Sequence, residues 1–453
     1  MARGTHCIIG AGFAGLGAAH ALLDRGVDVD VYEAKPDVGG NWFDGVYDST
    51  HLITSRDSTG YLEFPMGAEL PDFPHWEQVR DYLHSYSEKF DLRRRIRFGH
   101  EVTGVVPAGG GDGTSGWLVT HRADGVEQTR LYAGVVIANG HHWDPLVPVK
   151  PGTFTGAQIH VKDYKRPADL TGPRVLVVGA GVSACDLAVE ASRAFGSADV
   201  SMRRTKHFLP KTLFGKPITD LNNPWMPVWL QRVFTGLALR VINGPFSGYG
   251  MPKPDHRLFD QQVTINSQLL YAMRHGQVRY RPDVERFDGA TVHFVDGAAA
   301  DFDTVVWATG YRVSFPFLDR DVFRWDGGVP RRVAGMLPER VAGLYLFGLM
   351  QLRGGAGPML SRTAELLADL VDWQAHTDHP IGPDLARSRK AGSQFFFSVP
   401  QMTRQTAIER RVVAVHAAVA RLRGRWTPVP DELTGEPVSA ARTHAVTALE
   451  VPT

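Results

Sequence analysis

Residues 6–33 read HCIIGAGFAGLGAAHALLDRGVDVDVYE, and this stretch decides the fold. Cys7–Ile9 has the character of a buried strand, Gly10, Gly12 and Gly15 form a G-x-G-x-x-G turn, and an alanine-rich helix-forming run follows. A second strand, VDVDVYE, then ends in an acid. Without a Cβ, glycine lets the chain turn tightly and approach a pyrophosphate. The helix that starts there aims unpaired N–H groups and its positive dipole end at the same phosphates. Glu33 stands 18 residues (33 − 15) after Gly15, where a carboxylate binds the hydroxyl pair of an adenosine ribose. A solvated glutamate is the bland alternative, but strand, helix and acid at this spacing favour a dinucleotide site.

Residues 174–191, RVLVVGAGVSACDLAVEA, repeat the pattern with Gly179, Gly181 and Ala184. Here the second strand, ADVSM, ends in Arg203 and Arg204, with Lys206 behind, and carries no terminal acid. A carboxylate repels a 2′-phosphate and a guanidinium pairs with it, so this site is expected to prefer NADP, with one of the two arginines idle. A solvated basic loop is the alternative. Two dinucleotide sites in one chain imply hydride transfer from a nicotinamide to a second cofactor, and FAD is the dinucleotide that accepts it.

The expected fold class is therefore α/β, with two Rossmann-like dinucleotide-binding domains and the NADP domain inserted into the FAD domain. The chain leaves the first unit through 135–148, where VVIANG runs into histidines and prolines, and returns after VVWATGY at 305–311. The expected limits are 1–168 for the first part of the FAD domain, 169–312 for the NADP domain with a helical insertion near 210–275, and 313–453 for the second FAD part with C-terminal helices and tail. Within the last part, 344–349 reads as a buried strand and 361–373 as a helix after the 354–357 glycine turn. The tail beyond Pro428 is expected to be irregular or a surface arm.

Composition supports a folded, water-compatible protein: 453 residues, 43% apolar and 21% charged, are enough for two or three domains without staples. The balance of 49 basic against 48 acidic residues gives no field to gather nucleic acid. Cys7 and Cys185 stand far apart in apolar runs and are read as buried free thiols. No C-x-x-C pair is present, which argues against a dithiol centre, c-type haem or zinc site, and no metal is expected. The first residues lack a signal-peptide pattern, so a cytoplasmic location is expected. The most apolar long stretch, 224–246, is interrupted by Pro227, Arg232, Gly236 and Arg240 and is too broken to span a membrane. It is read as a core-facing helix. A membrane-surface or channel-lining role stays open, because Trp225, Trp229, Leu230, Val233, Leu237 and Val241 fall near one helical face. A homodimer also stays open.

Between the two turns, FTGAQIHVKDY places Phe154, Gly156, His160 and Tyr164 in the pattern F-x-G-x-x-x-H-x-x-x-Y. With GGNW at Gly39–Trp42 and ATGY at Ala308–Tyr311, the chain resembles the flavin-containing monooxygenases, within the class B flavoprotein monooxygenases, from the first turn to about residue 375. The resemblance implies that NADPH reduces FAD, that O2 then forms a C4a-(hydro)peroxyflavin, and that a nucleophilic amine or sulfide takes one oxygen atom. Baeyer–Villiger oxidation of a ketone and uncoupled NADPH oxidase activity remain alternatives. Tyr164 favours heteroatom oxidation, since the Baeyer–Villiger pattern ends in tryptophan.

The cofactor-binding residues so implied are Gly10, Gly12, Phe13, Ala14, Gly15, Glu33, Gly40, Trp42, Thr54, Val102 and Gln351, with Gly179, Gly181, Ser183, Arg203, Arg204 and Thr309. Asp186, Asn266, Ser267 and the segment 253–257 resemble nucleotide-contacting parts of the family. Ser55, Arg56 and His160 are the catalytic candidates. His160 is read as a link between domains, with a proton shuttle as its alternative. Ser55 stands where many members have an asparagine beside the flavin. A hydroxyl cannot both donate through nitrogen and accept through oxygen, so leakage of hydrogen peroxide is expected. Arg56 either compensates for the lost amide or pairs with Asp57.

Overall fold

The computed structural model describes residues 4–109, 111–221 and 226–422. Ten strands build its two main sheets: β1 (His6–Ile9), β2 (Val29–Glu33), β3 (Ile96–Phe98), β4 (Gly134–Ile137), β5 (Ala157–His160), β6 (Val175–Val178), β7 (Ala198–Ser201), β8 (Val278–Arg281), β9 (Thr304–Trp307) and β10 (Leu344–Leu346). The helices that matter are α1 (Phe13–Asp24), α2 (Trp76–Lys89), α3 (Val182–Phe195), α4 (Val228–Asn243), α5 (Gly357–Gln374) and α6 (Val399–Leu422).

The first sheet runs β10-β4-β1-β2-β3 and is parallel throughout. The second runs β8-β7-β6-β9-β5, also all parallel. Their central strands, HCII, GVVI, VLVV and TVVW, are buried at every position. Strands covered on both faces need an unbroken apolar run, so these show no polar alternation. The chain leaves the first sheet after β4, builds the second, and returns to lay Leu344–Leu346 beside Val135–Ile137. The second sheet is thus inserted into the first, as expected.

One core packs α1, α2 and α5 against one face of the first sheet. The other face carries an antiparallel sheet of Glu101–Pro107, Trp117–Ala123 and Val126–Tyr132, to which Val102, Trp117 and Tyr132 contribute buried side chains. A separate core holds α3 against the second sheet.

Several expectations shift. The helix expected at 361–373 begins earlier, at Gly357, because Pro358 suits a first turn that needs no N–H from it. The strand β5, placed by the expected limits in the first unit, pairs residue for residue with β9 in the second sheet. The described part of the stretch, 226–246, is not core-facing. Its helix, α4, buries only Gln231 and leaves Trp229, Phe234 and Val241 exposed, while Trp225 lies outside the described residues. The tail beyond Pro428 also lies outside them. Among the described residues, no helix is long and apolar enough to cross a membrane. Cys7 and Cys185 are buried and unpaired.

Candidate cofactor and active site

The first turn is an open backbone cradle. Gly10 has φ +102°, and a Cβ there would meet the Ala138 carbonyl oxygen at 2.8 Å. Gly12 is the N-cap of α1 and makes no side-chain cap, so the first N–H groups of the helix are left to a ligand. Opposite it stands Gly40, where a Cβ would lie 2.9 Å from the Gly12 Cα. The Gly39 N–H donates to the Ala11 carbonyl at 3.1 Å and closes the GGNW segment over the turn, with Trp42 packed on the core below. Phe13 packs beside Tyr61, and Ala14 touches the backbone where Gly348 passes. Glu33 is buried at the end of β2 and accepts from the Ala11 and Lys35 N–H groups at 2.7 and 2.9 Å. Burial raises its pKa, and those N–H groups oppose the rise. This arrangement fits a pyrophosphate and ribose: narrow backbone, uncapped helix end, fixed carboxylate.

The second turn has the same form. A Cβ at Gly179 would strike the Ala308 carbonyl oxygen at 2.3 Å, whereas one at Gly181 meets nothing within 4 Å. Gly181 caps α3 without a side-chain bond. Past β7 the charge is opposite to that at Glu33. Arg203 is exposed and pairs with no carboxylate among the described residues, while Arg204 lies 3.6 Å from Asp255. Lys206 is drawn inward, and burial lowers its pKa. The Thr309 hydroxyl donates to the Leu146 carbonyl at 2.5 Å, tying the ATGY turn to the connector.

Between the cradles, the insertion of the second unit touches the first. Ser55 is buried, caps the short helix 56–59 by accepting from the Ser58 N–H at 3.1 Å, and contacts the Asp220 carboxylate at 2.5 Å. Thr54 bonds Thr59 beside it at 2.7 Å. Arg56 turns away, with its guanidinium bonded to the Leu70 carbonyl and 3.3 and 3.5 Å from Asp57 and Asp72. His160 uses both ring nitrogens: Nδ1 accepts from the Lys162 N–H at 3.1 Å, which leaves Nε2 to donate to the Gly310 carbonyl at 3.1 Å. Burial lowers its pKa, so it stays neutral. Val102 lies opposite His121 in the antiparallel sheet, and Gln351 begins a short strand whose N–H donates to Phe395 at 2.7 Å.

Residues 5–368 match the Flavin-binding monooxygenase-like family. The chain belongs to that family. It is 32% identical over 345 residues to the mouse "Flavin-containing monooxygenase 5", an alignment covering 71% of this chain and 64% of that one. It is 29% identical over 398 residues to the human "Putative dimethylaniline monooxygenase [N-oxide-forming] 6", covering 81% and 71%. The chain thus spans somewhat less than two thirds of the mouse relative's length. The solved OTEMO complex with FAD and NADP superposes with a TM-score of 0.64 at 18% identity, over 82% of this chain and 84% of that one.

In this flavin-binding monooxygenase-like chain, the family fingerprint does structural work at the junction. The Tyr164 hydroxyl donates to Glu190 on α3 at 2.6 Å, and Glu190 also takes the Ser49 hydroxyl. Tyr47 donates to Asp186 at 2.8 Å, and Asn266 donates to its other oxygen at 2.6 Å. Tyr47, Glu190 and Asp220 were not foreseen, because only folding brings their partners near.

Burial pushes Asp186 up to about 6, against the lowering by Tyr47 and Asn266. An unfolded aspartate titrates near roughly 3.9, so the folded state binds more protons between these values. The contribution of this group is complete below the lower value and is lost as pH rises through the upper one. The Asp186 part of the stability is expected to fall by about 3 kcal/mol across that window. Urea midpoints of wild type and Asp186→Asn from acid to neutral pH measure it. Parallel profiles would refute the assignment.

Proposed function

We propose that the chain is an FAD-dependent, NADPH-using monooxygenase that places one oxygen atom from O2 on a nucleophilic nitrogen or sulfur. The observation that carries this reading is the pair of like cradles with opposite charge at their strand ends: buried Glu33 after the first, and after the second Arg203, which pairs with no carboxylate among the described residues. A ribose hydroxyl pair suits the former and a 2′-phosphate the latter. Gly10, Gly12, Gly15, Gly40 and Glu33 would hold FAD; Gly179, Gly181, Ser183 and Arg203 would hold NADPH. When bound, FAD supplies the redox and oxygen-activating chemistry. The domain limits 1–168, 169–312 and 313–453 stand as part of this proposal, although β5, inside the first of them, pairs in the second sheet.

The chain's own residues hold the junction. Ser55 orders the turn that lies against α5: a Cβ at Gly357, where α5 begins, would fall 2.1 Å from the Thr59 carbonyl. His160, with both nitrogens engaged, is a positioning residue that pins β5 to the Gly310 turn; Arg56 is a structural ion-pair partner.

Purified enzyme given NADPH, O2 and a thioether is expected to yield sulfoxide in step with NADPH use. Ester or lactone from a ketone, without sulfoxide, would reverse the assignment. Hydrogen peroxide is expected beside the product, because the Ser55 hydroxyl is committed to the Ser58 N–H and the Asp220 carboxylate. Ser55→Ala is expected to cost about 1 kcal/mol through the lost cap and to raise the peroxide released per NADPH. Ser55→Asn keeps a capping oxygen and is expected to lower that ratio. An unchanged ratio in both variants removes Ser55 from the oxygen chemistry.

A further inference from the structure

Helix α4 is mounted with its polarity reversed. Its polar residues hold it to the protein: buried Gln231 donates to the Met226 carbonyl at 2.8 Å and accepts from Arg353 at 3.0 Å. Arg232 donates to the Leu258 carbonyl at 2.8 Å and pairs with Asp260, and Asn243 donates to the Phe208 carbonyl at 2.9 Å. The outward face carries Trp229, Val233, Leu237 and Val241 at four-residue spacing, with Phe234 beside them, Val241 being 86% exposed. A helix that ends in water places its apolar stripe inward. The same insertion carries a hairpin of Thr212–Leu213 and Lys216–Pro217 whose tip is Phe214, 90% exposed at φ +52°. That backbone region disfavours a bulky side chain, and nothing is gained in water by exposing the ring there.

We propose that this face docks the protein onto a lipid surface bearing anionic headgroups. The charges choose the occupant. Residues 211–260 hold six cations, Lys211, Lys216, Arg232, Arg240, Lys253 and Arg257, against the carboxylates of Asp220, Asp255 and Asp260. All three acids are engaged, with Ser55, with Arg204 and His256, and with Arg232. Lys216, Arg240, Lys253 and Arg257 are exposed and pair with no carboxylate among the described residues. Exposed aromatic and aliphatic side chains with cations on the same elements, Arg240 on α4 and Lys216 two residues from Phe214, suit the boundary between acyl chains and anionic headgroups. A second copy docked by a two-fold axis brings the same patch against itself and sets those cations opposite one another.

The test is co-sedimentation of the full chain with phosphatidylcholine vesicles, with and without phosphatidylglycerol. Binding is expected only with the anionic lipid and is expected to weaken as salt rises. Phe234→Glu with Leu237→Glu removes two apolar anchors and is expected to cut partitioning by at least roughly 30-fold. Val149→Glu, at an exposed valine outside the insertion, is the control expected to leave binding intact. Circular dichroism and light scattering check that both variants stay folded and in the wild-type oligomeric state. The proposal is overturned by failure to bind anionic vesicles, by equal binding to neutral ones, or by an unaffected double variant. A wild-type dimer that the double variant splits also overturns it, assigning the face to a second copy.

Discussion

Gly15→Ala is expected to yield a chain that retains no flavin and is less stable by about 3 kcal/mol, the upper part of the range for overpacking. A Cβ at this position would stand 1.8 Å from the Gly10 carbonyl oxygen. The oxygen belongs to the backbone and the Cβ is fixed rigidly to its own Cα, so no side chain can swing aside. Relief requires α1 to move away from β1, which takes the helix N-terminus off the line of the pyrophosphate. Flavin absorbance after gel filtration and the urea midpoint report the two effects. Gly181→Ala supplies the contrast: its Cβ meets nothing within 4 Å, and it is expected to keep both fold and flavin. A Gly15→Ala protein that stays yellow and as stable as wild type would falsify the cradle.

Arg203→Glu is expected to lower kcat/KM for NADPH about 100-fold while leaving the value for NADH nearly unchanged. The guanidinium pairs with no carboxylate among the described residues, so the substitution breaks no internal ion pair. A charge-assisted bond of about 1.5–3 kcal/mol is lost, and a repulsive carboxylate takes its place. Each 1.4 kcal/mol is about tenfold in affinity. Arg204→Glu is expected to have the smaller effect, since Asp255 already engages that side chain at 3.6 Å. Equal losses with NADPH and NADH would show that Arg203 supports the fold or the nicotinamide rather than the 2′-phosphate.

Features that depend on neighbours in sequence were legible in advance. A glycine turn between a buried strand and a helix is a local object, so both turns and the insertion of one sheet into the other followed from two short segments and their order. Other features had no local signal. The Ser55–Asp220 contact joins positions 165 residues apart, and Asp186 meets Tyr47 across 139. Nothing in HLITSRDS tells which carboxylate folds onto the serine. The engagement of both His160 nitrogens depends on the Gly310 carbonyl, which is 150 residues away. Helix α4 shows the limit most plainly. Its amphipathic spacing was visible, but periodicity states that one face is apolar without stating which way it points.

The amino-acid sequence by itself determined the two dinucleotide cradles, their opposite strand-end charges and the family, because glycine spacing and strand-helix order act within a few residues of one another. The tertiary structure decided which arginine is unpaired, which carboxylate holds Ser55, and that α4 turns its apolar face to the outside. Those outcomes depend on long-range packing, where each side chain takes whatever partner the completed sheets carry to it.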